Sequence, residues 1–272
     1  MKGRHPIASI NRWPIWRRAV RVWGSAVRPT TFDRWLYLWL NRMGVMGRSE
    51  RAFLESWLRP GMRVADVGAN VGLYTLLMAR LVGPQGRVFA FEPEPGMAAA
   101  LARSAEENGS LQVLVREAAV GDTPGTGILR QNPVNSGDGR MSRRPSGAPQ
   151  SGTTVPICTL DEALAGQRVD FVKMDIQGWE SNALRGAREL VRRSPAVGIY
   201  FEFWPSGLAA AGSTAAELKQ ILEGMDLKVV QPRAGRAGGA VDLEALASGM
   251  KPGAYVNLLA VPVAGAAAAL RE

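Results

Sequence analysis

The 272-residue chain is poor in the side chains from which most metal and hydrolytic sites are built. It has one cysteine, Cys158, and one histidine, His5. A single cysteine excludes an internal disulfide, and the two residues together cannot make a Cys/His zinc site. A Ser-His-Asp triad would need His5 to leave its position in the N-terminal tail. No apolar run reaches the roughly 18 residues that a membrane-spanning helix needs. No apolar run near the start precedes a small-residue cleavage site, so a cytoplasmic chain is expected. With 46% hydrophobic and 21% charged residues, a disordered or fibrous chain is excluded. One globular domain of ordinary size with an appendage remains.

The net charge of +9 is unevenly placed. Residues 1–50 hold ten Lys/Arg and two Asp/Glu, which leaves 23 basic and 22 acidic residues for the rest of the chain. The basicity is therefore an N-terminal property, and a nucleic-acid partner for the near-neutral body is disfavoured. The same fifty residues carry Trp13, Trp16, Trp23, Trp35 and Trp39, five of the eight tryptophans. Trp13, Trp16, Val20, Trp23 and Val27 recur at spacings of three and four, which predicts a helix starting near Pro14. A second helix is predicted after Thr31, with Phe32, Leu36, Trp39 and Met43 on one stripe. These stripes can dock on the main domain, on a second subunit or on a membrane surface. The expected division is a basic, Trp-rich helical segment at 1–50, a main domain at 51–263 and a tail at 264–272.

From Met62 onward short β-rich runs alternate with helical stretches, the pattern of a parallel sheet with helices on both faces. Strands are predicted at 62–67, 87–92, 112–118, 169–175 and 196–202, and helices at 73–82, 95–108 and 179–191. Helix 214–224, strand 227–231, a Gly-rich turn through 234–240 and strand 254–262 follow. The two neighbouring final strands imply an antiparallel edge. Residues 125–131 and 153–158 read as extra short strands around a loop-like segment, 132–152, of the length that functional lids have.

The run Val64-Ala-Asp66-Val-Gly68-Ala-Asn70-Val-Gly72 ends the first main strand and opens a helix, the place where doubly wound sheets bind nucleotides. Glycine there lets the backbone approach a ligand. A dinucleotide fingerprint would put glycines at 68, 70 and 73, but Asn70 and Leu73 stand there, which argues against NAD or FAD. Without a ligand the run is simply a tight strand-to-helix turn. Glu92, in Phe89-Ala-Phe91-Glu92-Pro93, ends the next strand 20 residues after Gly72. A carboxylate so placed can accept hydrogen bonds from both hydroxyls of a ribose.

From Asp66 to about Pro262 the chain resembles S-adenosylmethionine-dependent methyltransferases of the FkbM family. The resemblance is carried by Asp66-Val-Gly-Ala-Asn-Val-Gly72, Phe91-Glu-Pro93, Ala119-Val-Gly-Asp122, Thr159-Leu-Asp161, Lys173-Met-Asp-Ile-Gln-Gly-Trp-Glu180, Leu184-Arg-Gly186 and Asn257-Leu-Leu-Ala-Val-Pro262. It implies an α/β, Rossmann-like class I fold with a mostly parallel seven-stranded sheet and an antiparallel edge strand. It further implies that the loop of Gly68, Asn70 and Gly72 surrounds the methionyl part of S-adenosylmethionine, with Asp66 orienting the loop or the cofactor's amino group. Glu92 would hold the ribose, and Glu117–Val120, including Ala119, would border the adenine.

Lys173 and Asp175 point to the same side of their strand, because side chains alternate with period two. A lysine in a strand buried on both faces needs a carboxylate, and Asp175, Glu180 and Glu202 are the expected partners. The pair is either a structural ion pair or part of the catalytic machinery. The family's usual Lys-x-Asp-x-Glu-Gly has Gln177 here in place of Glu, which weighs against carboxylate metal ligation, and no metal site is assigned. Glu202 ends the fifth strand and is a second base candidate. Trp179 and Trp204 follow strands four and five, where they line an acceptor pocket or pack in the core. Arg140, Arg143 and Arg144 can meet an anionic acceptor or remain solvated, and Cys158 reads as a small buried hydrophobe.

The expected activity is methyl transfer to a hydroxyl of a small molecule, a sugar or a glycolipid or natural-product intermediate. Asp175 or Glu202 is the base and Lys173 tunes its charge. The chain lacks the Asn/Asp-Pro-Pro-aromatic run of many amino-methylating enzymes and the Pro-Cys nucleophile of cytosine-C5 enzymes. The alternatives are an RNA methyltransferase that uses the basic N-terminus and a non-catalytic cofactor-binding module.

Overall fold

The computed structural model describes residues 19–30, 47–132, 139–143, 152–234 and 236–263. The predicted helical residues Trp13 and Trp16, the whole second N-terminal stripe, Arg144, most of the lid segment and the tail lie outside them.

The predicted N-terminal helix is corrected where it can be seen. Val20–Val22 (β1) and Ser25–Val27 (β2) form an antiparallel hairpin. Val20, Trp23 and Val27 satisfy helical spacing, but Val20, Arg21 and Val22 also alternate inward and outward with period two. The turn decides between them. Trp23 and Gly24 both have positive φ, 49° and 83°, the conformation that a two-residue hairpin requires.

Arg48–Trp57 (α1) leads into the main domain and runs across position 50. Then follow Arg63–Val67 (β3), Leu73–Val82 (α2), Arg87–Phe91 (β4), Pro95–Glu107 (α3) and Val113–Arg116 (β5). The hairpin docks on this part. Asn108 exchanges two hydrogen bonds with the backbone of Ala26, Arg28 N donates to Ser104 Oγ, and Trp23 lies 5.5 Å from the Tyr74 ring.

A second, four-stranded sheet interrupts the alternation. Ala119–Val120 (β6), Gly125–Arg130 (β7), Arg140–Arg143 (β8) and Thr153–Cys158 (β9) pair in the order β6-β9-β7-β8. Strand β8 falls inside the predicted loop. Leu160–Ala163 (α4) and Phe171–Met174 (β10) follow. The predicted helix 179–191 is two helices, Glu180–Arg185 (α5) and Arg188–Arg193 (α6), broken at Gly186, where a Cβ would lie 2.1 Å from the Gly121 carbonyl oxygen.

The chain continues through Gly198–Phe203 (β11), Pro205–Ala210 (α7), Ala215–Glu223 (α8), Leu227–Arg233 (β12), Arg236–Ala240 (β13), Leu243–Gly249 (α9) and Val256–Pro262 (β14). The main sheet has the order β13-β12-β14-β11-β10-β3-β4-β5. The α/β, mostly parallel fold is as expected, with two differences in detail. The sheet has eight strands rather than seven, because the Gly-rich 236–240 pairs with β12 instead of forming only a turn. The antiparallel edge is present as β13 on β12, whereas the final strand β14, also antiparallel, is inserted between β11 and β12 with its apolar Leu258–Val261 buried. Among the described residues no helix is long and apolar enough to cross a membrane.

Candidate active site

The chain leaves β3 toward β4 and β5 on one side, and returns through β10 and β11 on the other. The carboxyl ends of β3, β4 and β10 therefore open on the crevice at this reversal, where ligands bind in such sheets. The crevice holds about 620 Å³ of space open to solvent.

The loop after β3 is built by backbone sterics. Gly68, Asn70 and Gly72 have φ of 81°, 51° and 92°, and a Cβ at Gly68 would lie 2.0 Å from the Asp175 carbonyl oxygen. Gly68 N and Ala69 N donate to Phe91 O, both at 3.0 Å, which ties the loop to the end of β4. Glu92, 6% exposed, completes the tie. Its Oε2 accepts from Asn70 N at 2.8 Å and its Oε1 from Glu94 N at 2.9 Å. Burial pushes its carboxyl up to about 7 against the pull of these two N–H groups.

Asp66 lies beneath the loop and is wholly buried. It accepts from Thr75 Oγ1 at 2.6 Å and faces Lys173 Nζ at 3.5 Å. Lys173 also lies 3.9 Å from Asp175 Oδ2 and 5.0 Å from the Tyr74 ring. Of the carboxylates expected around Lys173, Asp175 is thus joined by Asp66, a partner found through strand pairing because Asp66 and Lys173 are in register. Burial alone would lower the lysine, but Asp66 and Asp175 outweigh it and hold its pKa above the ordinary value. Glu180 is not a partner. It is fully buried, with Oε1 accepting from Ile176 N at 3.1 Å and Gly178 N at 3.4 Å.

Burial likewise pushes Glu180 up to about 7 from 4.5. A carboxyl raised in the folded state contributes stability that is fully present below its unfolded pKa of about 4.5 and lost as pH rises through about 7. Glu180→Gln keeps the acceptor oxygen without the charge. The variant should match wild type near pH 5 and exceed it by about 2 kcal/mol at pH 8 in urea unfolding. A wild type equally stable relative to the variant at both pH values would contradict the assignment.

Of the residues singled out in the sequence, Gly68, Asn70, Glu92, Ala119, Asp175 and Trp179 line the crevice. Asp66 and Lys173 support it from below. Glu202, 8% exposed, is joined to it by Gln177, whose Nε2 donates to Asp175 Oδ1 at 2.9 Å and to Glu202 Oε2 at 3.2 Å. Glu117 is exposed, and Ala118, Ala119 and Val120 form the wall instead. Arg140 stacks its guanidinium 4.8 Å over the Trp204 ring. Cys158 is buried, as expected. Sequence reasoning missed Met97 and the strand residues Leu129 and Met141, which close the apolar wall. Leu129 lay in a short alternating run beside the predicted loop, Met141 inside that loop and Met97 on a predicted helix, so none carried a distinct signal for the crevice.

The crevice suits S-adenosylmethionine. Phe91, Met97, Ala118, Val120, Leu129 and Met141 make an apolar slot for a purine. Each Glu92 oxygen spends one acceptor position on backbone and retains another for a vicinal diol. Asp175 adds a negative group for a cationic centre. Among the described lining residues none is Lys or Arg, which does not suit a pyrophosphate.

The model of the methyltransferase FkbM domain matches residues 66–229, more than half of the chain. Protein-L-isoaspartate O-methyltransferase 1 of Arabidopsis thaliana is 42% identical over 53 residues, 20% of this chain and 23% of that protein. The match thus spans about a quarter of the relative's length. Among solved structures, methyltransferase FkbM from Methylobacillus flagellatus KT is 16% identical, with 83% of this chain and 53% of that one covered and a TM-score of 0.46. A SAM-dependent methyltransferase from Aquifex aeolicus is 18% identical over 78% of this chain and 87% of that one, with a TM-score of 0.43. Membership is carried by the family match: the chain belongs to the FkbM family of S-adenosylmethionine-dependent methyltransferases.

Proposed function

We propose that this protein moves the methyl group of S-adenosylmethionine to a hydroxyl oxygen of a small molecule, a sugar or a glycolipid or natural-product intermediate. The observation that carries the reading is the pair of carboxylates, Asp175 and Glu202, joined through Gln177 beside the cofactor loop. When bound, the cofactor supplies a methyl group already activated by its sulfonium. The chain's part is to hold and orient the reactants and to take a proton. Glu92 would accept from the ribose diol, the loop of Gly68 and Asn70 would hold the methionyl part, and the wall through Ala119 would take the adenine. Asp66 positions the loop without touching ligand, since it is wholly buried.

At the other end of the crevice Asp175, with Glu202 behind it, is placed to accept a hydrogen bond from the acceptor hydroxyl and to take its proton, while the methyl group would pass from sulfur to that oxygen and leave a neutral thioether. Lys173 keeps the Asp175 carboxylate anchored by charge. Positioning supplies most of the acceleration, because a carboxylate is a weak base for an alcohol.

Calorimetry with S-adenosylmethionine, S-adenosylhomocysteine and NAD tests the cofactor reading: binding of the first two without NAD is expected. Labelled methyl transfer to a panel of hydroxyl compounds then tests the acceptor class. Asp175→Ala should lower turnover by about a hundredfold, the low end for loss of a general base, while changing cofactor affinity less than Glu92→Ala does. Transfer to RNA in place of any hydroxyl compound in the panel would replace this reading.

A further inference from the structure

Asp175 and Glu202 stand at the ends of β10 and β11, neighbouring parallel strands whose register Met174↔Phe201 places the two carboxylates side by side. Like charges at strand spacing are ordinarily relieved by a proton on one of them or by a cation between them. Here the Lys173 ammonium, 3.9 Å from Asp175 and within the field of Glu202, supplies part of that relief, and the chain adds an amide. Gln177 adopts the left-handed conformation, φ 56°, unusual for a residue with a side chain. That turn carries its amide back over the strand ends, and its nitrogen donates to both carboxylates. An amide nitrogen has two protons, so one goes to each.

The turn is built to hold this pose. Gly178 has φ 96°, and a Cβ there would lie 2.2 Å from the Gly207 backbone. The buried Glu180 accepts from the N–H groups on both sides of Gln177. Lys173 is engaged by Asp66 as well as by Asp175, and Gln177 is what links Asp175 to Glu202.

We propose that Gln177 is a positioning residue whose amide occupies the space a bridging divalent cation would need, holding Asp175 and Glu202 as a pair toward the acceptor hydroxyl, so that methyl transfer proceeds without a metal ion. The role of the pair rests on the hydroxyl-methylation reading above; the clamp itself is independent of any acceptor.

The test is Mn²⁺ binding by electron paramagnetic resonance to the full chain in the presence of S-adenosylhomocysteine, comparing wild type, Gln177→Glu and Gln177→Asn. Gln177→Glu replaces the two donors with a third carboxylate and should bind Mn²⁺ at least about tenfold more tightly than wild type. Adding Glu202→Gln should abolish that gain, which a merely structural role for Gln177 does not predict. Gln177→Asn tolerates the left-handed conformation but is one methylene too short to reach both carboxylates, and should gain about threefold. It keeps the test open if Gln177→Glu does not melt cooperatively. Mn²⁺ binding as tight in wild type as in Gln177→Glu, or unchanged in every folded variant, overturns the proposal. Wild type that fails to bind S-adenosylhomocysteine while the Mn²⁺ gain is seen overturns the methyl-transfer reading and leaves the clamp standing.

Discussion

Replacing Lys173 with Met should cost about 3–5 kcal/mol of folding stability, the range for stranding one charge of a buried pair. Asp66 is 0% exposed and Lys173 5%. Once the ammonium is gone, the carboxylate keeps only the Thr75 hydroxyl on Oδ2, and its Oδ1 faces the vacated position. A domain whose total stability is about 5–15 kcal/mol has little margin for such a loss. The double variant Lys173→Met with Asp66→Asn removes both charges and should recover a large part of it, because a neutral pair carries no uncompensated desolvation penalty. Urea unfolding of the two single variants and the double closes this cycle. A Lys173→Met cost under about 1 kcal/mol would contradict the reading of Asp66 and Lys173 as a mutually dependent buried pair.

Glu92→Ala should weaken S-adenosylhomocysteine binding about a hundredfold, or nearly 3 kcal/mol. The carboxylate acts twice. It is the acceptor proposed for the ribose hydroxyls, and it already holds Asn70 N and Glu94 N, so truncation also loosens the loop that lines the crevice. The pH dependence separates the two actions. Burial holds this carboxyl at about 7, whereas hydroxyls that donate to it favour its ionised form. Below pH 7 binding must therefore expel a proton, and affinity should rise from pH 6 to pH 8 and level off above. Glu92→Gln preserves an acceptor oxygen and should show a flat profile. Calorimetry across that range checks both, and a flat wild-type profile would remove the carboxylate from the ribose.

Much of the fold was legible because it depends on short-range rules. The β-branched and aromatic runs at Val64–Val67, Val88–Phe91 and Phe171–Met174 are strands, and Pro95 opens its helix at the first turn as its fixed φ allows. The glycine loop could be placed because Gly68 and Gly72 sit where a strand must turn into a helix. The N-terminal hairpin is not legible locally, because three apolar residues at helical spacing also fit a hairpin whose turn lies at Trp23-Gly24. The tie-breaker is a backbone conformation, together with docking partners, Ser104 and Asn108, about eighty residues away.

At the site, residue types were visible but partnerships were not. Glu92, Asp175 and Glu202 could be named as chemistry-bearing residues from their positions at strand ends. The sequence by itself determined the alternation of strands and helices, the loop, and the family's motifs, since each depends on backbone sterics and side-chain period within a few residues. Tertiary structure alone decided that Lys173 faces Asp66, that Gln177 joins Asp175 to Glu202, that Arg140 stacks on Trp204 and that β14 is inserted between β11 and β12. These depend on which strands pair and in what register. That choice is weakly written in strands such as Phe171–Met174 and Gly198–Phe203, which are buried on both faces and so carry no inside/outside alternation to fix a register.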